Sequence, residues 1–209
     1  MKSAKPELKV SVFSDYICPF CYVGSRRLLR LNEEYDLKVN WRGLEIHPKA
    51  PVEGMSVTRL NYTAEQRTQA KATLRKMAEE ENIDIGALDF TTNSHKALLL
   101  SEAAKHAGRD MFYALHERIF HAYFTEGKNI GDETVLRALA REVGLPETLT
   151  DSAWSNPVYV QALELNLRAA LTLGVRSTPT YFFGDDVIVG VVPYTELQQA
   201  ALKAITRAA

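Results

Sequence analysis

The chain predicts an α/β fold in which a β-α-β half and an α-β-β-α half are interrupted by an all-helical insertion. Three observations carry that expectation. An alternating apolar run, a C-x-x-C, a helical apolar stripe and a second alternating run follow one another over residues 8–46. From about 50 to 155 the pattern changes to helices with polar connections. A proline-started helix, two β-rich runs and an amphipathic helix then close the chain from residue 156 onward.

The first half is read from its periodicity. LKVSVFSD, residues 8–15, sets Val10 and Val12 on one face and reads as a short buried strand. In VGSRRLLRLNEEY, Leu28, Leu29 and Leu31 form the apolar stripe and the arginines and glutamates the wet side of a helix. LKVNWRGLEI, residues 37–46, alternates again. A right-handed crossover makes these two strands parallel, with the C-x-x-C between the carboxyl end of the first and the amino end of the helix.

The middle of the chain is read from caps. Thr63 and Gln66 form a capping box for a helix running through about Glu81. Asn93 or Ser94 opens another, which Gly108 closes in a left-handed C-cap. RDMFYALHERIFHAYF spaces Met111, Leu115, Ile119 and Phe120 as a core-packing stripe. Asp132 caps a helix to Gly144, and Glu79, Glu80 and Glu81 read as a solvated helix end.

Asn156-Pro157 starts a helix ending at Gly174. STPTYFFG and VIVGVV, separated by Asp185 and Asp186, read as a hairpin, and PYTELQQAALKAITRAA as the last helix. Residues 1–50 and 156–209 are therefore expected to form one discontinuous sheet domain, and residues 51–155 a helical insertion domain.

Composition narrows function. With 209 residues, 46% hydrophobic and 24% charged, the chain belongs among ordinary globular proteins. Twenty-five Lys plus Arg against 26 Asp plus Glu leave a net charge of −1, so no global field recruits nucleic acid or acidic membranes. The N-terminus MKSAKPELKV lacks an apolar leader core, and no apolar run nears the roughly 18 residues of a membrane span. A cytoplasmic protein without membrane attachment is expected.

The chain has 2 cysteines, Cys18 and Cys21. Two placed at random would stand three apart roughly one time in a hundred. In a reducing compartment such a pair is redox-active or metal-binding rather than a staple. Structural zinc needs two further ligands, and the nearest histidines to a motif, His116 and His121 in HERIFH, stand five apart. Five residues turn the second ring about 140° away on a helix, whereas H-E-x-x-H brings both to one face. No metal is expected. The first turn of a helix favours thiolate, so Cys18 is expected to titrate below the free value of about 8.5 and act as nucleophile. Pro19 suits an early helical position, and Cys21, one turn along, is placed to resolve a mixed disulfide. Asp15, just ahead of the nucleophile, opposes the helix end by raising the thiol pKa. His47 and Trp41 could line a pocket at the same edge, although such residues more often pack or cap a strand.

SDYICPFCYVGSRRL, HAYFTEGKNIGDETVLRALAREVGL and GVRSTPTYFFGDDVIVGVVPYTELQQAAL resemble the thioredoxin superfamily, in particular its DsbA-like branch and the FrnE-type cytoplasmic oxidoreductases within it. The resemblance implies a thioredoxin-like fold with a helical domain inserted after the second strand, and thiol–disulfide exchange on protein or small-molecule disulfides. It implies a cis Pro179 facing Cys18 and Cys21, with Pro19, Phe20, Thr178 and Pro179 forming the substrate contact. No tightly bound cofactor is implied, with glutathione a candidate redox partner. Two features depart from the pattern. Ala97-Leu98-Leu99 stands where FrnE-type relatives commonly carry Ala-His-Arg, so no role of that histidine is carried over. Pro19-Phe20 replaces the Pro-His of periplasmic DsbA, which makes a milder oxidant the expectation. The competing readings are a glutathione-dependent isomerase or kappa-type transferase, and a redox-switched chaperone.

Overall fold

The computed structural model describes residues 5–86 and 89–208. β1 (Glu7–Ser14) leads into α1 (Pro19–Leu29), which a 3-10 turn over Arg30–Glu33 joins to β2 (Asp36–Gly43). The two strands pair in parallel, Val10 opposite Val39 and Val12 opposite Trp41. β2 stops short of the residue 46 that its alternation suggested. The Ser14 carbonyl accepts from the Leu44 amide at 3.0 Å, and the Asp15 carboxylate from the Ile46 amide at 2.8 Å. Those two bonds draw the chain off the sheet and toward the start of α1.

The middle of the chain holds β3 (Met55–Ser56), α2 (Ala64–Glu80), β4 (Phe90–Thr91), α3 (His95–Lys105), α4 (Arg109–Phe124), α5 (Glu133–Glu142) and α6 (Glu147–Ser152). It is helical apart from the two-residue ribbon that β3 and β4 form. The Thr63 capping box is made, with Gln66 N–H to Thr63 Oγ1 at 3.1 Å and Thr63 N–H to Gln66 Oε1 at 2.8 Å. Leu115, Ile119 and Phe120 of α4 are buried and Met111 packs against them.

Two expectations are overturned by tertiary contacts and backbone geometry. Gly108 has φ +99° and ψ 171°, a positive-φ pair outside the left-handed helical region, and it caps the start of α4 instead of closing α3. Glu81 is not solvated. Its side chain is 4% exposed and receives the Arg27 Nε–H at 2.6 Å from the middle of α1. Arg27, 3% exposed, also donates to Glu80 at 2.7 Å and to the Val192 carbonyl at 2.8 Å. A guanidinium buried between helices requires a matched anion, and the end of α2 supplies it.

α7 (Pro157–Thr172) starts with the Asn156 side chain accepting from the Val158 amide at 3.0 Å, and Gly174 ends it at φ +70°. β5 (Thr180–Phe183) and β6 (Asp186–Val189) make the hairpin, and α8 (Tyr194–Ala208) follows, with Ala209 outside the described residues. The turn falls on Gly184 and Asp185, since Asp186 already pairs with Phe183. β5 runs antiparallel to β1, Tyr181 opposite Val12, which gives the sheet order β2-β1-β5-β6. Leu28 of α1 and Leu197 and Ala201 of α8 share one buried cluster with Leu8, Val10, Tyr181 and Phe183. This is the mixed α/β arrangement of a thioredoxin-like fold. No helix among the described residues is long and apolar enough to cross a membrane.

Candidate active site

Cys18 is the N-cap of α1, with φ −89° and ψ 111°, and Pro19 takes the first helical position. No acidic side chain stands in that first turn, so nothing within the turn offsets the positive end of the helix. Cys21 lies one turn along, 1% exposed beneath Cys18 at 5%, and both are free thiols.

The environments of the two sulfurs differ in sign. The Cys18 thiol is held below its ordinary range, chiefly because the Cys21 thiol donates a hydrogen bond to it. Burial works against this, while the Thr178 side chain and the Cys21 amide add to it and the charge of Asp15 detracts. The Cys21 thiol is pushed well up, first by burial and then by the neighbouring Cys18 sulfur, with Ser14 as the side chain that pulls it back down. A Cys18 thiolate beside a protonated Cys21 is therefore the favoured single-proton state.

Thr178 and Pro179 reach the site from the loop before β5. The protonated Cys18 sulfur donates to the Thr178 carbonyl at 3.4 Å, and the Thr178–Pro179 peptide bond is cis. Pro179 and Tyr181 close over α1 at Gly24. A Cβ there would run into the Tyr181 hydroxyl and stand 3.2 Å from the proline ring, which leaves room for no other residue. The Tyr181 phenol, fully buried, is raised above its ordinary range by burial and by the proximity of Cys21 and Cys18.

Behind the cysteines sits a polar cluster. The buried Asp15 carboxyl is raised to about 6 by desolvation, although it accepts from the amides of Ile46 at 2.8 Å and Ile17 at 3.3 Å. The Tyr16 hydroxyl donates to Ser101 at 2.8 Å and meets His116 Nδ1 at 2.9 Å, while Ser25 meets the other ring nitrogen at 3.0 Å. Burial holds His116 near 3, so it is a neutral core histidine. His121 stands half-exposed and paired with Glu126 at 3.1 Å. Among the described residues, no group of three or more His, Cys, Asp or Glu side chains is placed to hold a metal ion.

A cavity of about 750 Å³ opens in front of Cys18. Pro19, Phe20 and Thr178 border it, as does His47, whereas Trp41 does not. Trp41 is buried against the His116 ring, 4.4 Å between centroids. Sequence reasoning missed three contributors: the outer wall supplied by α2, Ser14, and Arg176 in the loop ahead of Thr178. Arg176 was adjacent in sequence to a motif already singled out, but nothing in the pattern of α2 tells which way its helix lies.

Known proteins share this architecture. A family model described as DSBA-like thioredoxin domain matches residues 9–201. An uncharacterized protein of Bacillus subtilis, YwbO, is 29% identical over 184 residues, covering 87% of this chain and 89% of its own. Among solved structures, a probable DsbA oxidoreductase from Streptomyces coelicolor superimposes with TM-score 0.83 at 22% identity, covering 94% of this chain and 89% of that one. The cytosolic disulfide reductase DsbM from Pseudomonas aeruginosa with GSH does so with TM-score 0.67 at 19% identity, over 96% and 97%. With the family model spanning both strands of the first half, the helical middle and the hairpin, the chain belongs to the DsbA-like thioredoxin domain family.

Proposed function

We propose that the protein is a thiol–disulfide oxidoreductase in which Cys18 is the nucleophile and Cys21 the resolving residue. The opposite shifts of the two thiols carry this reading, because they define which sulfur attacks and which waits. The Cys18 thiolate attacks a substrate disulfide RS–SR′, forming Cys18–S–SR and expelling R′S⁻. Cys21 then loses its proton to solvent, attacks the Cys18 sulfur and expels RS⁻. Two electrons pass to the substrate and the cysteine pair ends as a disulfide, which a thiol reductant restores. Run backward, the same steps oxidise a substrate dithiol.

Pro19, Phe20, Thr178 and Pro179 form the contact surface, with the Thr178 backbone pairing to an extended substrate as a strand would. The substrate is a disulfide-bearing protein or small molecule. Glutathione is the proposed redox partner, a reading supported by the DsbM structure determined with GSH. The cytoplasm is the proposed location, in line with the cytosolic DsbM.

The test is reduction of a simple disulfide by Cys18→Ser and Cys21→Ser. Cys18→Ser is expected to lose activity, and Cys21→Ser to accumulate mixed disulfides at Cys18. Full activity in Cys18→Ser overturns the assignment. Turnover that is independent of Cys21 and requires glutathione instead supports an isomerase reading, the activity named for a 2-hydroxychromene-2-carboxylate isomerase of the same fold, TM-score 0.70 at 16% identity.

A further inference from the structure

The cavity facing Cys18 is built from two unlike parts. Its interior is apolar, with Ile17, Phe20, Leu74 and Phe124 among its walls, and at about 750 Å³ it falls within the range that encloses a small organic molecule. Its charged side chains are mostly cationic, and their partners differ. Glu45 is engaged with His95 at 2.7 Å and Lys71 with Asp89 at 2.5 Å, so these charges are matched internally. The Arg67 side chain of α2 donates to the Tyr62 carbonyl, and no carboxylate among the described residues pairs with it. Arg176 makes no hydrogen bond or ion pair among the described residues that would compensate it, and it stands two positions before the Thr178 that touches the Cys18 sulfur. Two arginines from separate elements, the exposed Arg176 and the half-buried Arg67, thus border an apolar chamber that reaches Cys18.

We infer that the preferred substrate is a low-molecular-weight disulfide with an apolar, ring-sized body and a carboxylate near its sulfurs, selected by Arg176 with support from Arg67. This rests on the exchange reaction proposed above and names its substrate class. The apolar body fills the chamber, and the carboxylate meets the guanidinium in the planar pairing that arginine favours. Attack of a thiolate on an anionic disulfide gathers negative charge around three sulfurs, and the same guanidinium offsets that repulsion. The electron balance is that of the exchange reaction: one substrate S–S bond breaks, two thiolates leave and one Cys18–Cys21 bond forms.

Single-turnover stopped-flow measurements on the pre-reduced full chain test this without a recycling reductant. The anionic aromatic disulfide 5,5′-dithiobis(2-nitrobenzoate) and the neutral 4,4′-dithiodipyridine are the two probes, and the readout is the ratio of their second-order rate constants. Arg176→Ala is expected to lower the anionic-to-neutral ratio by about fivefold and Arg176→Glu by more, with Arg176→Lys between Ala and wild type. Raising ionic strength should lower the wild-type ratio and leave that of Arg176→Ala nearly flat. An unchanged ratio in Arg176→Ala, Arg176→Glu and Arg67→Ala overturns the inference while leaving the exchange reaction intact. If neither probe reacts with wild type, the exchange reaction itself fails. A rate for an acidic peptide disulfide that exceeds the aromatic probe, and falls equally in Arg176→Ala, assigns the charge selection to peptides and overturns the small-molecule class.

Discussion

The sulfur of Cys18 stands 3.4 Å from the carbonyl oxygen of Thr178, 160 residues away in sequence. That contact joins the first turn of α1 to the loop that opens β5, and it exists because β1 and β5 are neighbours in the sheet. When Cys18 ionises, the thiol bond to the carbonyl is lost, while donation from Cys21 and the Thr178 side chain persists. The carbonyl is then free to accept from the substrate backbone that is proposed to pair with Thr178.

Ser14 acts on the other sulfur. It is the side chain that lowers the Cys21 pKa against burial, and it also borders a small cavity shared with Tyr16 and Ser101. Ser14→Ala is expected to raise the Cys21 pKa further and slow resolution about tenfold, with Ser14→Thr recovering most of the rate. With 5,5′-dithiobis(2-nitrobenzoate), the second release of chromophore reports this step and the first does not. Equal second phases in wild type and Ser14→Ala would exclude the role.

The Arg27–Glu81 pair ties α2, and with it the outer wall of the cavity, to α1 at 2.6 Å. Removing either partner leaves a buried charge with only a half-exposed counterion, Glu80 for Arg27 and Arg30 for Glu81, so Arg27→Ala and Glu81→Ala should each cost about 3 kcal/mol in urea unfolding, the lower end for a broken buried pair. The double replacement Arg27→Met with Glu81→Leu should recover much of that loss. Additive costs in the double variant would mean the pair is not coupled.

Asp15 and His116 give stability opposite pH dependences. Asp15 sits at about 6 when folded against an ordinary 3.8, so the folded protein is relieved of a buried charge as pH falls through 6. His116 sits near 3 against an ordinary 6.5, so the unfolded chain gains a proton first and stability falls as pH drops below 6.5. Between about pH 4 and 6 the two slopes, each at most about 1.4 kcal/mol per pH unit, oppose one another. Urea midpoints across this window should fall more steeply with acidification in Asp15→Asn than in wild type. In His116→Gln they should fall less steeply or rise. Parallel curves for all three proteins would contradict both shifts.

Much of the fold follows from local chemistry that the chain displays openly. Alternation in 8–15, the Thr63 and Asp132 caps and the Asn156-Pro157 start each mark an element within a few residues of its place. What depends on tertiary meetings is not displayed. Glu81 looks like any terminal glutamate until Arg27 arrives from another helix, and Trp41 has a partner only because α4 brings His116 against it. The cysteine pair announces itself by spacing, whereas the cavity before it depends on where α2 lies, which periodicity does not encode.

Phe20 borders that cavity and offers no charge to Cys18. Phe20→His should lower the Cys18 pKa and make the disulfide more oxidising, about 30 mV for each pKa unit. Equilibration with a glutathione redox series measures it, and an unchanged potential would count against the side chain's influence.

The asymmetry between Cys18 and Cys21 is open to direct measurement by iodoacetamide alkylation across pH, with mass spectrometry locating the label. Cys18 should be modified first, with an inflection below the value of about 8.5 for a free thiol, while Cys21 stays unlabelled well above it. Preferential labelling of Cys21, or two indistinguishable profiles near the free-thiol value, would contradict the proposed roles.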